Sequence, residues 1–294
     1  MNWHPRPVPA LLVWMALALA GCALQTPQSR VAPVAPPVAA APRAPASPTV
    51  PPARPGQPTV FLDPGHGGVD TGTIGTTDDG TTVEEKDVAL AIALRTAALL
   101  RQAGLRVVLS RTDDSLPGAT SADYTADGTA LTPDGVLADL QRRIDRANAS
   151  GARVFLSIHL NGFGDPSVGG AETFYDSSRP FASQSDRFAT LVQQTLVGAL
   201  RANGYTTADR GVADDVDLDT DNMGSLSATY GHLVVLGPGV PGRLRPTTMP
   251  GALSESLFLT NPPEATAALQ PAMQDLIASS YARAIEEFLG ARPR

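Results

Sequence analysis

A single cysteine, Cys22, stands among the 294 residues, so no internal disulfide can staple this fold. Histidine is nearly as scarce, with four in all: His4, His66, His159 and His232. Lysine and arginine form no cluster and the formal net charge is -7, which argues against nucleic acid as a partner. The apolar run from Val8 to Ala20 falls short of the roughly 20 residues that a spanning helix needs. No internal repeat is visible. These shortages narrow the search for chemistry to a few side chains.

The amino terminus reads as an address. His4 and Arg6 give a weakly basic start, and the short apolar run that follows fits the core of a secretory signal over residues 1–21. It ends in Leu19-Ala20-Gly21-Cys22, which resembles the lipobox of bacterial lipoproteins. That resemblance implies cleavage before Cys22 and acylation of its amine and thiol, enough lipid for stable membrane anchoring where one chain is marginal. Ala23, rather than Asp, after the cysteine is compatible by the same resemblance with an outer membrane, facing the periplasm. Residues 22–58 are dominated by Pro, Ala and Val without helical or strand period and read as an extended tether. At ~3.1 Å per residue it would reach on the order of 100 Å.

From residue 59 to 294 the pattern becomes that of one α/β domain. Apolar strands are expected at Val60–Leu62, Arg106–Arg111, Arg153–Leu160, His232–Leu236 and Ala252–Leu259, with a shorter one at Glu172–Tyr175. Helices are expected over Glu85–Ala103, from Thr132-Pro133 to Gly151, over Ser183–Asn203 and over Pro271–Leu289. Strands alternating with helices predict a mostly parallel twisted sheet flanked by helices on both faces.

Within it, VFLDPGHGG places His66 in a glycine-lined turn just past the carboxyl end of a buried strand, the edge at which open α/β sheets bind ligands. His159 also ends an apolar strand, so the two imidazoles share that edge. Imidazole suits zinc, and a catalytic zinc site takes three protein ligands with a fourth position open. A carboxylate is needed as the third ligand, and Glu84 or Glu85 opens the first helix near the same edge.

The ordered set GHGG, EEKD, SRTDD, LQRRIDRAN, FLSIHLN and SESLFLTNP resembles the zinc-dependent N-acetylmuramoyl-L-alanine amidases of the cell-separation type, over about residues 59–289. The resemblance implies a peptidoglycan hydrolase with one zinc ion per chain on His66, Glu85 and His159, Glu85 being chosen because the family's ligand precedes a lysine, here Lys86. It puts the catalytic glutamate at Glu255. Arg143 and Asn148 match a helix motif and are expected to fix loops by hydrogen bonds. Asn161 either contacts substrate or closes a turn. Residues 206–231 are expected to form a loop that acts as a mobile lid, since some relatives carry near here an insertion that occludes the zinc until an activator protein displaces it. His232 lies outside every family motif and is expected to be structural or exposed. Asp214–Asp221 does not fit an EF-hand in any register and reads as a solvated acidic loop. The competing functions are a zinc peptidase acting within the stem peptide and an inactive wall-binding lipoprotein.

Overall fold

Thr59–Pro64 (β1) is buried along its whole length, which places it in the middle of a sheet with both faces covered. The computed structural model describes residues 54–217 and 229–290. Cys22, the signal segment and most of the tether lie outside the described residues. After β1 come a short hairpin, Ile74–Thr76 (β2) and Thr82–Glu84 (β3), then Glu85–Gln102 (α1) and Arg106–Leu109 (β4). Pro133–Ser150 (α2), Val154–Asn161 (β5), Ala171–Tyr175 (β6), Ala182–Ala202 (α3) and Asp209–Asp214 (β7) follow. The domain closes with Gly251–Phe258 (β8), Pro262–Ala268 (α4) and Pro271–Leu289 (α5).

The six-stranded sheet has the order β4-β1-β5-β8-β6-β7. Its first four strands are mutually parallel; β6 runs antiparallel to β8 and parallel to β7. Successive side chains of a strand point to opposite faces, and the core divides accordingly. Val60, Leu62, Leu156 and Ile158 pack under α1, α3 and α5 with Ile92, Phe188 and Tyr281. Phe61, Phe155 and Leu253 face the other way, toward Ile144 of α2 and Val234–Leu236. Phe61 and Phe155 stack in register, their rings 5.7 Å apart.

Helix ends follow local chemistry. Thr132 caps α2 by accepting from Gly135 N at 3.0 Å, Pro133 fills the first turn, and Gly151 ends the helix at φ +68°. Asn261 and Pro262 start α4 by the same device, in a segment where no helix is expected from the sequence.

Two expectations are corrected. His232–Leu236 is not a strand: its apolar run folds into a turn closed by Leu236 N and Gly237 N on Leu233 O, both at 2.8 Å. Gly231 at φ +69° breaks the chain before it, and Val234, Val235 and Leu236 bury themselves against the sheet face rather than joining it. Residues 206–231 are not a single loop either, because 209–214 form β7 by pairing with β6. Residues 218–228 of the expected lid lie outside the described residues.

Candidate active site

The site lies at the carboxyl edge of β1, β5 and β8. β1 ends in Pro64, and the chain turns through Gly65 into His66, whose φ of +59° makes it the one left-handed non-glycine among the described residues. Such a conformation costs on the order of 1–3 kcal/mol and persists only where neighbours over-determine it. Here two buried arginines do so. Arg143 of α2 donates to Pro64 O at 2.8 Å, His66 O at 2.6 Å and Asp63 Oδ1 at 3.0 Å, with Asp139 at 2.6 Å on its other edge. Arg111 donates to Gly65 O and Lys86 O, each at 2.7 Å, and to Pro64 O at 3.2 Å. Burial disfavours the Arg143 cation, but Asp63 and Asp139 outweigh it and hold its pKa above the ordinary value. Burial, then the neighbouring Arg143 charge, bring Arg111 down to about 10.

β5 delivers His159 to the same place, and the two imidazoles meet edge-on with centroids 4.9 Å apart. Gly65 is needed because a Cβ there would overlap the His159 ring. Glu85, the first residue of α1, sits between them: Oε1 is 3.2 Å from His66 Nε2 and 2.8 Å from His159 Nδ1. Its carboxylate is fixed by Leu160 N on Oε1 at 3.1 Å and Thr73 N on Oε2 at 2.8 Å. Gly72, at φ +65°, leaves the room required, since a Cβ would come within 2.5 Å of Glu85 Oε2 and of the His66 ring. Glu84 instead points its carboxylate to Lys86 Nζ at 3.3 Å. Lys86 also reaches Gly68 O at 3.0 Å and Asp114 at 2.8 Å, tying the glycine loop to α1.

Burial opposes ionisation of Glu85, yet His66 and then His159 outweigh it and hold its carboxyl far below the usual range. Burial likewise disfavours the His66 imidazolium, while Glu85 and Asp70 push the ring up to about 10. Asp70 Oδ1 lies 2.9 Å from His66 Nδ1, which directs Nε2 inward. A carboxylate behind a metal-binding histidine fixes its tautomer in this way. The sequence reading missed Asp70; the available signal was an acid four residues after His66.

Glu255 of β8 is the register partner of His159 on one side and of Glu172 on the other. Its Oε2 is buried and makes no hydrogen bond. Burial, followed by the Glu85 charge, raises its pKa well above the usual carboxylate value. Asn161 closes a turn by accepting from Gly162 N at 2.7 Å. Arg143 fixes the His66 loop as expected, and Asn148 fixes 246–248 by donating to Pro246 O and accepting from Thr248 N, both at 2.9 Å.

The donor set fits a metal ion. Ligand atoms about 2.0–2.1 Å from a tetrahedral ion stand roughly 3.3 Å apart, close to the separations around Glu85. Two imidazoles and a carboxylate suit zinc, and the unpartnered Glu255 oxygen is available to a fourth occupant. A cavity of about 550 Å³ opens beside His66 and His159, walled on its apolar side by Leu131, Val136, Leu140, Val235 and Leu253.

Of the acidic stretch, Asp217 is exposed as expected, Asp215 departs from expectation, and residues 218–221 lie outside the described residues. Asp215 is fully buried rather than solvated, and half-buried His232 points its Nδ1 at it and at Asp176.

The domain that holds this site is similar to known proteins. The family described as N-acetylmuramoyl-L-alanine amidase matches residues 60–287. The germination-specific N-acetylmuramoyl-L-alanine amidase of Bacillus subtilis is 31% identical over 226 residues, 77% of each chain. The amidase AmiA of Salmonella typhimurium is 28% identical, across 77% of this chain and 74% of its own. Among solved structures, the CwlD amidase of Clostridioides difficile, determined in complex with the GerS lipoprotein, aligns with a TM-score of 0.60 at 27% identity, covering 80% of this chain and all of that one. The ordered motifs that surround His66, Glu85, His159 and Glu255 thus sit in a matched span covering nearly the whole domain, and the chain belongs to the N-acetylmuramoyl-L-alanine amidase family, whose members are peptidoglycan hydrolases.

Proposed function

We propose that this chain is a zinc-dependent, lipid-anchored amidase that cleaves the bond between the lactyl group of N-acetylmuramic acid and L-alanine in peptidoglycan. The observation that carries the reading is the convergence of His66, Glu85 and His159 from three separate elements onto one ion-sized gap, with the unpartnered carboxylate of Glu255 in register beside them.

His66 through Nε2, His159 through Nδ1 and Glu85 through its carboxylate would hold the ion. Zinc in such a set supplies Lewis acidity toward the amide carbonyl and lowers the pKa of water to about 7. Glu255 is the general base: it takes the proton of the attacking water and returns it to the alanine nitrogen as the amide C–N bond breaks. Arg143 and Arg111 keep the His66 loop in its strained form, so the imidazole need not reorganise when substrate arrives. The cavity beside the two histidines is the place for the scissile amide and the groups flanking it.

Acylation at Cys22 would hold the enzyme at a membrane of the cell envelope, and the long tether would let the domain reach the wall. Because CwlD is found with a lipoprotein partner, an activator protein is proposed here too. Digestion of purified sacculi followed by mass spectrometry tests the reaction. The amidase releases intact stem peptides and leaves glycan free of peptide; shortened stems would instead establish a peptidase, and no release, equal to His66→Ala, an inactive binding protein.

A further inference from the structure

Away from the active site, the carboxyl ends of β6 and β7 and the turn after residue 230 place three more ligand-type side chains together. His232 Nδ1 lies 2.9 Å from Asp176 Oδ2 and 3.3 Å from Asp215 Oδ1. Among the described residues this is the one other group of His, Cys, Asp or Glu whose donor atoms all fall within the reach of a single ion. The two carboxylates are almost wholly out of water, at 2% and 0% exposure. Each has one oxygen committed to the backbone: Asp176 Oδ1 accepts from Ser178 N at 2.7 Å, and Asp215 Oδ2 from Leu233 N at 2.9 Å. The remaining two, Asp176 Oδ2 and Asp215 Oδ1, face His232. Asp176 Oδ2 is completely buried and makes no hydrogen bond, its approach to His232 being short but poorly aligned.

A fold rarely leaves a buried carboxylate oxygen unpartnered, because the desolvated acceptor costs about 1–3 kcal/mol, more when charged. Donor atoms separated by 2.9 and 3.3 Å match the roughly 3.3 Å spacing of ligands about a tetrahedral ion, as at His66, Glu85 and His159. We propose that Asp176, Asp215 and His232 form a second divalent-cation site, with a donor set of one imidazole and two carboxylates that selects zinc or manganese over calcium. Its work is structural. Asp176 follows β6, Asp215 follows β7, and His232 opens the turn whose Leu233, Val234 and Val235 line the active-site cavity. A cation there pins that wall to the sheet edge.

The test is zinc content of the full chain by plasma mass spectrometry after loading with zinc and desalting. Two zinc ions per wild-type chain are expected, one in His66→Ala, one in His232→Gln, and none in the double variant. Thermal unfolding supplies a second readout, in which added zinc raises the Tm of His66→Ala by several degrees and leaves the double variant unmoved. One zinc per wild-type chain, lost with His66 and unaffected by His232→Gln, would overturn the proposal and make His232 a plain ion-pair partner of two aspartates. That result leaves the amidase reading intact, whereas a single zinc kept in His66→Ala and lost in His232→Gln would undo the amidase reading alone.

Discussion

Replacing Glu255 by glutamine separates chemistry from stability in opposite directions. The carboxylate is buried beside Glu85, and its Oε2 makes no hydrogen bond, so folding at neutral pH must either desolvate a charge or keep a proton on it. In the metal-free protein its folded pKa is raised above the unfolded value. Below about pH 4.5 both states are protonated and nothing is lost. As pH rises above that, the unfolded chain ionises while the folded one resists, and stability falls until the folded pKa is passed. Glutamine removes the charge with little change of shape. A gain of about 1–2 kcal/mol at pH 7, the scale of a desolvated polar group, converts at 2–4 °C per kcal/mol for a domain of this size to a Tm rise of about 2–8 °C. The same change removes the proposed general base, and hydrolysis of purified sacculi should fall by ~10²–10⁴ with zinc content unchanged. The assay pairs release of soluble wall fragments with thermal unfolding of chelator-treated protein at pH 4 and pH 7. Full hydrolytic activity would refute the role of Glu255, and a Tm gain as large at pH 4 as at pH 7 would refute the electrostatic account.

Other perturbations reach the site through its supports. Asp70→Asn should weaken zinc binding by about 10–100-fold, read by titration against a competing chelator, because the imidazole of His66 loses the partner that fixes its tautomer. Gly72→Ala should abolish zinc retention while far-UV circular dichroism stays native, since the new methyl meets Glu85 and His66 at a positive φ. Arg143→Met leaves Asp63 and Asp139 buried without their cation, and denaturant melts should show a loss of about 3–5 kcal/mol. Thr132→Ala removes the cap of α2, next to Leu131 in the cavity wall, and should cost ~1 kcal/mol in denaturant melts.

The central strands and most helix limits were legible because their signals are local. Val60–Leu62 and Phe155–Ile158 are apolar runs long enough to be strands, Thr132-Pro133 and Gly151 bracket α2, and Pro271–Leu289 matches the final helix residue for residue. The pairing of His66 with His159 followed from parallel strands sharing an edge. Choosing Glu85 over Glu84 needed the family resemblance, because both acids stand where a strand becomes a helix and neither period decides which turns inward. What stayed hidden depends on contacts distant in the chain. β7 reads DRGVAD, with no apolar alternation, and is a strand only because β6 offers it an edge. Leu233–Leu236 carries the composition of a strand, yet the sheet face below it provides burial without pairing; a short apolar run alone cannot distinguish the two. Arg111 looks like any polar residue at a strand end until the carbonyls of Pro64, Gly65 and Lys86 are seen to converge on it.

The split of the core into two apolar layers has a consequence for altering this enzyme. His159, Glu255 and the Arg143 clamp all project from the side that carries α2, while the layer beneath α1, α3 and α5 contributes only the first residue of α1 to the reaction. Heat tolerance can therefore be bred into the three-helix side by repacking Phe188 and Ile277 with their neighbours, and the catalytic outcome should scarcely register the change.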